Sequence, residues 1–214
     1  MTMGFNHALW SGEIRGRVKA ERIPASQTSI VSRAIIQRYA ERRSHHAGEM
    51  NHAATEAGAI IYLAGVRHSP NEANRAPVVM DQRHEQFIPH VLPITVGTTV
   101  RFLNSEEVYH NVFSLSRAKT FNLGRYPKGQ YREVIFNKPG PVSVYCDIHT
   151  NMNAFILVLP NNCFAAVDDE GNYQLKDIPA GEYEIKVWHP RWPEKTRKVV
   201  VEENGVTELN FVLP

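Results

Sequence analysis

The sequence has only two cysteines, Cys146 and Cys163, among its 214 residues. Two cysteines exclude the disulfide-rich framework of small secreted domains. One disulfide between them is an alternative for an exported protein. We instead expect Cys146 to be a free thiol, because it sits in a metal-type spacing with a histidine and a methionine. Cys163 is then a small buried apolar residue beside Phe164.

The chain also lacks a strong net charge and a long apolar run. Its 24 Lys and Arg residues nearly balance 22 Asp and Glu residues, so we expect no nucleic-acid partner. No apolar run approaches the roughly 20 residues that span a bilayer, and the protein is not expected to be transmembrane. Residues 1–10 lack the features of a secretory signal, so we expect the native signal peptide to be absent from this sequence.

Hydrophobic patterns predict an all-β protein. Residues 13–19 alternate between charged and apolar positions, with Ile14 and Val18 on the apolar face, which is typical of a half-buried strand. Short strands separated by Gly, Pro and Asn turns fill residues 77–160, and a second β pattern follows. A long excursion separates the first strand from the next, with at most one short helix over residues 30–43. Many short strands at near-regular spacing favour β-sandwiches.

A cluster of soft metal ligands is the strongest functional signal. The segment Cys146-Asp147-Ile148-His149-Thr150-Asn151-Met152, with the upstream His110, supplies one thiolate, two imidazoles and one thioether. This is the ligand set of a blue-copper electron-transfer site. Val142 and Val144 alternate with polar residues, so Cys146 is expected on the core face at a strand end. Cys-x-x-His also occurs in zinc sites, but zinc has no use for the methionine.

The same residues resemble a known family. The segment His110-Asn111-Val112-Phe113 resembles the first-histidine segment of the small cupredoxins, the group of plastocyanin, pseudoazurin and amicyanin. The Cys-x-x-His-x-x-Met spacing is closest to amicyanin. Residues 87–89, 94–100 and 102–104 resemble the strands that precede this histidine, and the resemblance covers residues 77–160.

This resemblance implies one copper ion per chain, cycling between Cu(I) and Cu(II). The implied equatorial ligands are His110, Cys146 and His149, and the implied axial ligand is Met152. The resemblance also implies that His149 is the electron port. The candidates for an apolar patch around this port are Ile148, Met152 and Phe113.

The ligand loop departs from the amicyanin pattern, which carries Thr-Pro where this chain has Asp147-Ile148. Without the proline, the Ile148 backbone N–H can donate to the Cys146 sulfur, which would raise the reduction potential. An ionised Asp147 would lower it. The sequence leaves the net sign open.

A second resemblance concerns the two ends of the chain. Residues 12–18 and 59–63 resemble opening strands of a transthyretin-like, carboxypeptidase regulatory-like β-sandwich, and the strands after residue 160 resemble its closing half. We therefore predict a cupredoxin Greek-key β-sandwich, residues 77–160, inserted into a discontinuous sandwich of residues 11–76 plus 161–214. The arrangement resembles bacterial exported plastocyanin-like proteins, sometimes called methylamine-utilisation proteins. That loose name does not establish a role in amine oxidation.

The outer strands carry no arrangement of catalytic residues, such as a Ser-His-Asp set or a phosphate loop. The aromatic segment 188–192 is interpreted as ordinary core tryptophans with an exposed His189. The alternative is an aromatic surface that packs against the copper unit or a partner.

Together these features predict a type 1 copper protein that carries single electrons and is not an enzyme. Its expected partner is a redox protein, either a cytochrome or a copper or haem oxidoreductase. We expect a periplasmic location, because a redox-active copper thiolate is poorly suited to a reducing cytosol.

Two alternatives remain open. The first is copper storage, delivery or sensing, and its support is a soft cluster made of His45, His46, Met50 and His52. The second is a redox enzyme like the red-copper nitrosocyanins, with a carboxylate or water in place of Met152. The carboxylates to consider are Glu85, Glu106 and Glu107.

Overall fold

The computed structural model describes residues 11–21, 58–66 and 76–214. Within these ranges, all of the regular secondary structure consists of β-strands, which confirms the predicted all-β class. The helix expected within residues 30–43 and the soft cluster at residues 45–52 lie outside the described residues. The described part contains no helix with the length and apolar character to cross a membrane.

Nine consecutive strands form two sheets that we call the central sandwich. These strands are β3 (Val78–Arg83), β4 (Gln86–Ile88), β5 (Val91–Thr95), β6 (Thr98–Asn104), β7 (His110–Ser116), β8 (Lys119–Tyr126), β9 (Tyr131–Phe136), β10 (Gly140–Tyr145) and β11 (Asn153–Leu159). One sheet has the order β4-β3-β6-β9 and the other has the order β5-β11-β10-β7-β8. The chain therefore changes sheets five times, at β4/β5, β5/β6, β6/β7, β8/β9 and β9/β10.

Alternation along β10 delivers the cysteine to the end of the core. Val142 and Val144 are fully buried, and Cys146 directly after the strand is 5% exposed. The two valines pair with Ile156 and Ala154 of β11, which are also buried. The prediction that Cys146 shares the face of the two valines is confirmed.

The other eight strands precede and follow the central sandwich, and we call them the outer strands. They are β1 (Ser11–Ala20), β2 (Ile60–Ala64), β12 (Phe164–Ala166), β13 (Asn172–Pro179), β14 (Gly181–His189), β15 (Trp192–Val201), β16 (Val206–Glu208) and β17 (Phe211–Leu213). β1 pairs with β13, β16 and β17, and β2 pairs with β12 and β14. Strands from both ends of the chain thus share sheets, and a separate apolar core lies among them.

A close backbone approach explains one glycine of β1. The Leu209 N–H donates to the Arg15 carbonyl oxygen at 2.9 Å. A Cβ atom at Gly16 would lie 1.8 Å from the Leu209 carbonyl oxygen. Only glycine at position 16 lets the backbone at Leu209 cross β1 at that distance.

A small apolar cluster joins the outer strands to the central sandwich. Leu157 of β11 lies in this cluster with Ile60 of β2, and the ring of Trp188 contacts that of Phe155, with centroids 6.3 Å apart. His189 is buried and stacks on a tryptophan ring at 4.1 Å. The expectation of an exposed His189 is therefore wrong. In the same segment, Trp188 packs against the central sandwich.

Candidate metal centre

Three predicted ligands from separate stretches of the central sandwich converge at one end of it. His110 is the first residue of β7, Cys146 directly follows β10, and His149 lies in the loop between β10 and β11. The Cys146 Sγ atom is 3.8 Å from Nδ1 of each histidine, and the two Nδ1 atoms are 3.2 Å apart. Together the three form a group that can hold a metal ion.

The donor triangle has the dimensions of a metal site. From the three separations, a point equidistant from the donors lies about 2.1 Å from each, within the roughly 2.0–2.3 Å of metal–nitrogen and metal–sulfur bonds. One thiolate and two imidazoles in a trigonal arrangement are the strong donors of a blue-copper site, so these residues fit copper.

The ligand loop closes on itself through its backbone. The Met152 N–H donates to the His149 carbonyl oxygen at 3.0 Å, and the Cys146 N–H donates to the Met152 carbonyl oxygen at 3.2 Å. Both ends of the loop are thus joined, and the Met152 side chain is buried at 2% exposure. Met152 therefore lies in the same closed loop as two of the three donors.

A carboxylate fixes the orientation of His110. The Glu106 Oε2 atom is 2.7 Å from Nε2 of His110, whose side chain is fully buried. With the proton on Nε2, the Nδ1 atom is left as a lone-pair donor toward Cys146 and His149. Such partners on the remote nitrogen orient metal-binding histidines and raise their basicity.

Glu106 is itself held by neighbouring backbone groups. Its N–H donates to the Asn104 side-chain oxygen at 2.9 Å, and its carboxylate accepts the Glu85 backbone N–H at 3.0 Å. Burial raises the pKa of Glu106, but the bonds from the Glu85 backbone and from His110 outweigh it, so the net pKa is lowered. The carboxylate is therefore ionised where it faces His110.

The tight turn between β3 and β4 supplies a second carboxylate. His84 and Glu85 have φ angles of 54° each, the left-handed conformation that a two-residue hairpin turn requires. The turn places the Glu85 Oε1 atom 3.8 Å from Nε2 of His149. Each metal-site histidine thus has a carboxylate on the side away from the thiol.

From the sequence, both carboxylates are candidates only as ligands in place of methionine. The structure puts them against the remote histidine nitrogens instead. For Glu106 the available signal was its position four residues before His110. Nothing in the local sequence brings Glu85 to His149, because that contact depends on how the two sheets meet.

The residues that distinguish the loop from amicyanin make different contacts from those expected. The Asp147 carboxylate is 3.5 Å from the Arg125 guanidinium, which offsets part of its negative charge. In the described part of the chain, the Cys146 sulfur contacts the two histidine nitrogens, and the Ile148 amide is not among its hydrogen-bond partners.

The expected apolar patch is only partly formed. His149 is 19% exposed at its side chain and Ile148 is 37% exposed, so both reach the surface. Phe113 is half-buried against Tyr145, with ring centroids 5.7 Å apart. Met152 is buried, so its predicted place in the patch is wrong.

Both cysteines are free thiols, which removes the disulfide alternative. Cys163 is buried among the outer strands, as expected of a small apolar residue. Burial raises the pKa of its thiol. It therefore stays protonated and apart from the donor triangle.

No protein-family model matches the chain, and no curated protein matches it. Among solved structures, similarity is found to a copper-containing nitrite reductase from Thermus scotoductus SA-01 at 27% identity, with a TM-score of 0.40, over 42% of this chain and 24% of that one. A point mutant of amicyanin in its reduced form matches at 20% identity and a TM-score of 0.38, over 46% of this chain and 98% of that chain. A purple cupredoxin from Nitrosopumilus maritimus matches at 26% identity and a TM-score of 0.35, over 40% of this chain and 100% of that one. This chain thus spans about a quarter of the nitrite reductase.

Proposed function

We propose that this protein is a type 1 copper protein that carries one electron at a time between redox partners. The observation that carries the proposal is the convergence of Cys146 Sγ with the Nδ1 atoms of His110 and His149. A soft thiolate favours Cu(I) and imidazole suits both oxidation states, so this set supports a reversible couple. In this assignment Met152, which shares the ligand loop, supplies the weak fourth donor.

The surroundings of the donors suit a carrier. His110 and Cys146 are buried at strand ends, and the carboxylate of Glu106 holds the first of them in place. Donors that are fixed in advance change position little when the metal changes oxidation state. His149 alone of the three donors reaches the surface appreciably, which makes it the natural point of contact with a partner.

The alternative functions have less support. The soft cluster invoked for copper delivery lies outside the described residues. A nitrosocyanin-like enzyme would need a carboxylate or a water in place of Met152. Two of the candidate carboxylates, Glu106 and Glu85, face the remote nitrogens of the histidines instead. Glu107 forms an ion pair with Lys128. A carrier is therefore preferred to an enzyme.

The proposal extends to domain organisation and location. We take residues 77–160 as the copper domain and residues 11–76 plus 161–214 as one discontinuous sandwich around it, of the carboxypeptidase regulatory-like kind. Support comes from the pairing of β1 with β13, β16 and β17 and from the separate outer core. A copper thiolate that must stay redox-active favours an oxidising compartment, the periplasm.

The absorption and EPR spectra of the Cu(II)-loaded protein test the function. A thiolate site should give an intense blue or green band and a narrow copper hyperfine splitting. It should also cycle reversibly in voltammetry. A pale Cu(II) spectrum without the thiolate band would leave Cys146 out of the coordination and would exclude the carrier.

A further inference from the structure

Positive charge is concentrated along one edge of the central sandwich. Between residues 77 and 160 the chain has eight Lys and Arg residues, and six of them fall within residues 117–138, where Glu133 is the single acidic residue. We call these six residues the β8–β9 strip. They are Arg117, Lys119, Arg125, Lys128, Arg132 and Lys138.

The strip lies on the neighbouring end strands of two sheets and on the turns next to them. β8 and β9 are the end strands of their sheets, and they lie side by side. The guanidinium of Arg132 on β9 lies 5.2 Å from the ring centroid of Tyr126 on β8. Further along, the rings of Phe121 and Phe136 meet at 6.2 Å. These contacts hold the two strands, and their cations, together.

Most of the strip is available to an external anion. Within the described residues, Asp147 pairs with Arg125 and Glu107 pairs with Lys128, both at the metal-site end. The nearby Glu133 pairs with Arg101. In that same part of the chain, the other four members of the strip have no carboxylate partner, and these are Arg117, Lys119, Arg132 and Lys138.

Negative charge is concentrated elsewhere on the same sandwich. Apart from Glu133, its acidic residues are Asp81, Glu85, Glu106, Glu107 and Asp147. Several of these contact or neighbour the donor group, including Glu85 and Glu106 on the two histidines. The end with His149 thus has five carboxylates and three cations, which are Arg83, Arg125 and Lys128. The rest of the β8–β9 edge carries the cations without carboxylate partners among the described residues, so an anionic partner is drawn to that part of the edge.

One member of the strip, Arg132, lies close to the donor group. Tyr126 is fully buried beneath Arg132 and pairs directly with His110 across the β7–β8 ladder. Its hydroxyl accepts a bond from the Gln82 side chain at 2.7 Å and donates to the Phe102 carbonyl oxygen at 3.2 Å. A molecule bound at Arg132 is thus separated from His110 by one ordered side chain.

We propose that the β8–β9 strip is the docking surface for an acidic redox protein, distinct from the acidic surface around His149. This inference rests on the proposed function. An acidic partner fits because the strip offers cations without carboxylate partners, whereas the surface around His149 would repel it. The carrier then has two faces of opposite charge, one for each class of partner.

Oxidation of the reduced protein by hexacyanoferrate(III) tests the redox role of the strip. The Cu(I) protein gives one electron to the reagent, which becomes hexacyanoferrate(II), and stopped-flow absorbance measures the rate. The double variant Arg117→Glu/Lys138→Glu should react about tenfold more slowly than a matched control, Lys176→Glu/Lys198→Glu, at about 0.01 M ionic strength. The two rates should converge near 1 M salt. Equal slowing of both variants would mean that only net charge matters and would overturn the proposal.

Binding can be located without any redox reaction. Hexacyanochromate(III), an inert paramagnetic anion, should broaden the NMR amide signals of Arg117, Lys119 and Lys138 in the reduced protein. Broadening confined to other basic residues would overturn the proposal that the β8–β9 strip binds an acidic partner. If the amide signals of the strip broaden but no thiolate band forms with copper, the proposed function fails, while the strip is still an anion-binding surface. If the band forms but the strip is not broadened, only this inference fails.

A second copy of the chain is the competing occupant, because residues 161–214 contain ten acidic and six basic residues. Sedimentation velocity at low salt distinguishes a second copy of the chain from an external acidic partner. A monomer at all concentrations supports an external acidic partner. Self-association that Arg117→Glu/Lys138→Glu abolishes would assign the strip to a homodimer and overturn the proposal.

Discussion

The Glu106 carboxylate lies 2.7 Å from Nε2 of His110, on the opposite side of the ring from Cys146. One short contact thus fixes the ring's orientation, its protonated nitrogen and a nearby negative charge. All three affect how strongly the donor group stabilises Cu(II) over Cu(I). The relationship leads to a prediction about the reduction potential.

Replacing Glu106 with Gln should raise the reduction potential, by at most about 40 mV. The amide oxygen still accepts the His110 proton, but the negative charge that favours Cu(II) is lost. A charge-assisted hydrogen bond exceeds a neutral one by about 1 kcal/mol. The shift reflects only the part of this energy that differs between Cu(II) and Cu(I), so about 40 mV for one electron is its upper limit. Voltammetry measures the shift. The control is Glu107→Gln, since Glu107 is exposed and pairs with Lys128; equal shifts in both variants would show that the contact with His110 is irrelevant.

Replacing Cys146 with Ala should abolish the thiolate-to-copper absorption band and leave the fold intact. The thiol is one of three convergent donors, whereas the second cysteine is buried in a separate core. Cys163→Ala is therefore the matched control and should keep the band. A band that survives in Cys146→Ala would show that the ligand assignment is wrong. Circular dichroism checks that both variants remain folded.

Replacing Met152 with Leu should retain copper and raise the potential. The thioether is assigned as a weak axial donor, and its loss removes electron density that favours Cu(II). Leucine has a similar volume, so the buried site should lose less than about 1.5 kcal/mol of folding stability. Metal analysis and voltammetry measure the two effects. Wholesale copper loss would mean that Met152 is a principal ligand.

The sequence predicted those parts of the site that depend on local pattern. Alternation through Val142 and Val144 placed Cys146 on the core face, and the spacing from Cys146 to Met152 indicated a single loop. The carboxylate contact with His149 depends on the β3–β4 turn meeting a loop of the other sheet, and neither segment signals it alone.

The errors have the same origin. From the sequence, His189 is expected at the surface. It is buried because β14 and β15 fold it against Trp192. Met152 was expected in a surface patch, but closure of the ligand loop turns it into the core. Burial at such positions is decided by packing between distant segments, which periodicity does not report.

Replacing Gly16 with Ala should destabilise the outer strands. The added Cβ would lie 1.8 Å from the Leu209 carbonyl oxygen, so the backbones must separate and hydrogen bonds between β1 and its neighbours weaken. We expect a loss of roughly 2 kcal/mol or more in the free energy of unfolding, as for overpacked sites. Urea unfolding measures it. Lys19→Ala, at an exposed position of the same strand, should change stability little, and equal effects would contradict the steric explanation.

Replacing Asp168 with Asn should make stability less dependent on pH in the acid range. The Asp168 carboxylate accepts backbone N–H bonds from Asn172 at 2.6 Å and Glu170 at 3.1 Å. These bonds, that from Asn172 above all, lower its pKa. A lowered folded-state pKa stabilises the protein above the unfolded value, about 3.9, and this stabilisation is lost as the pH falls through the folded value.

At pH 7 the Asp168→Asn protein should therefore unfold at a lower urea concentration than the unmodified protein. This difference in the urea midpoint of unfolding, which we call the gap, should narrow as the pH falls below about 4, where the unmodified carboxylate takes up its proton. Asp169→Asn removes the same charge one residue away from this turn and should show a smaller gap at pH 7. A gap that is constant with pH would mean that the ionised carboxylate does not stabilise the turn.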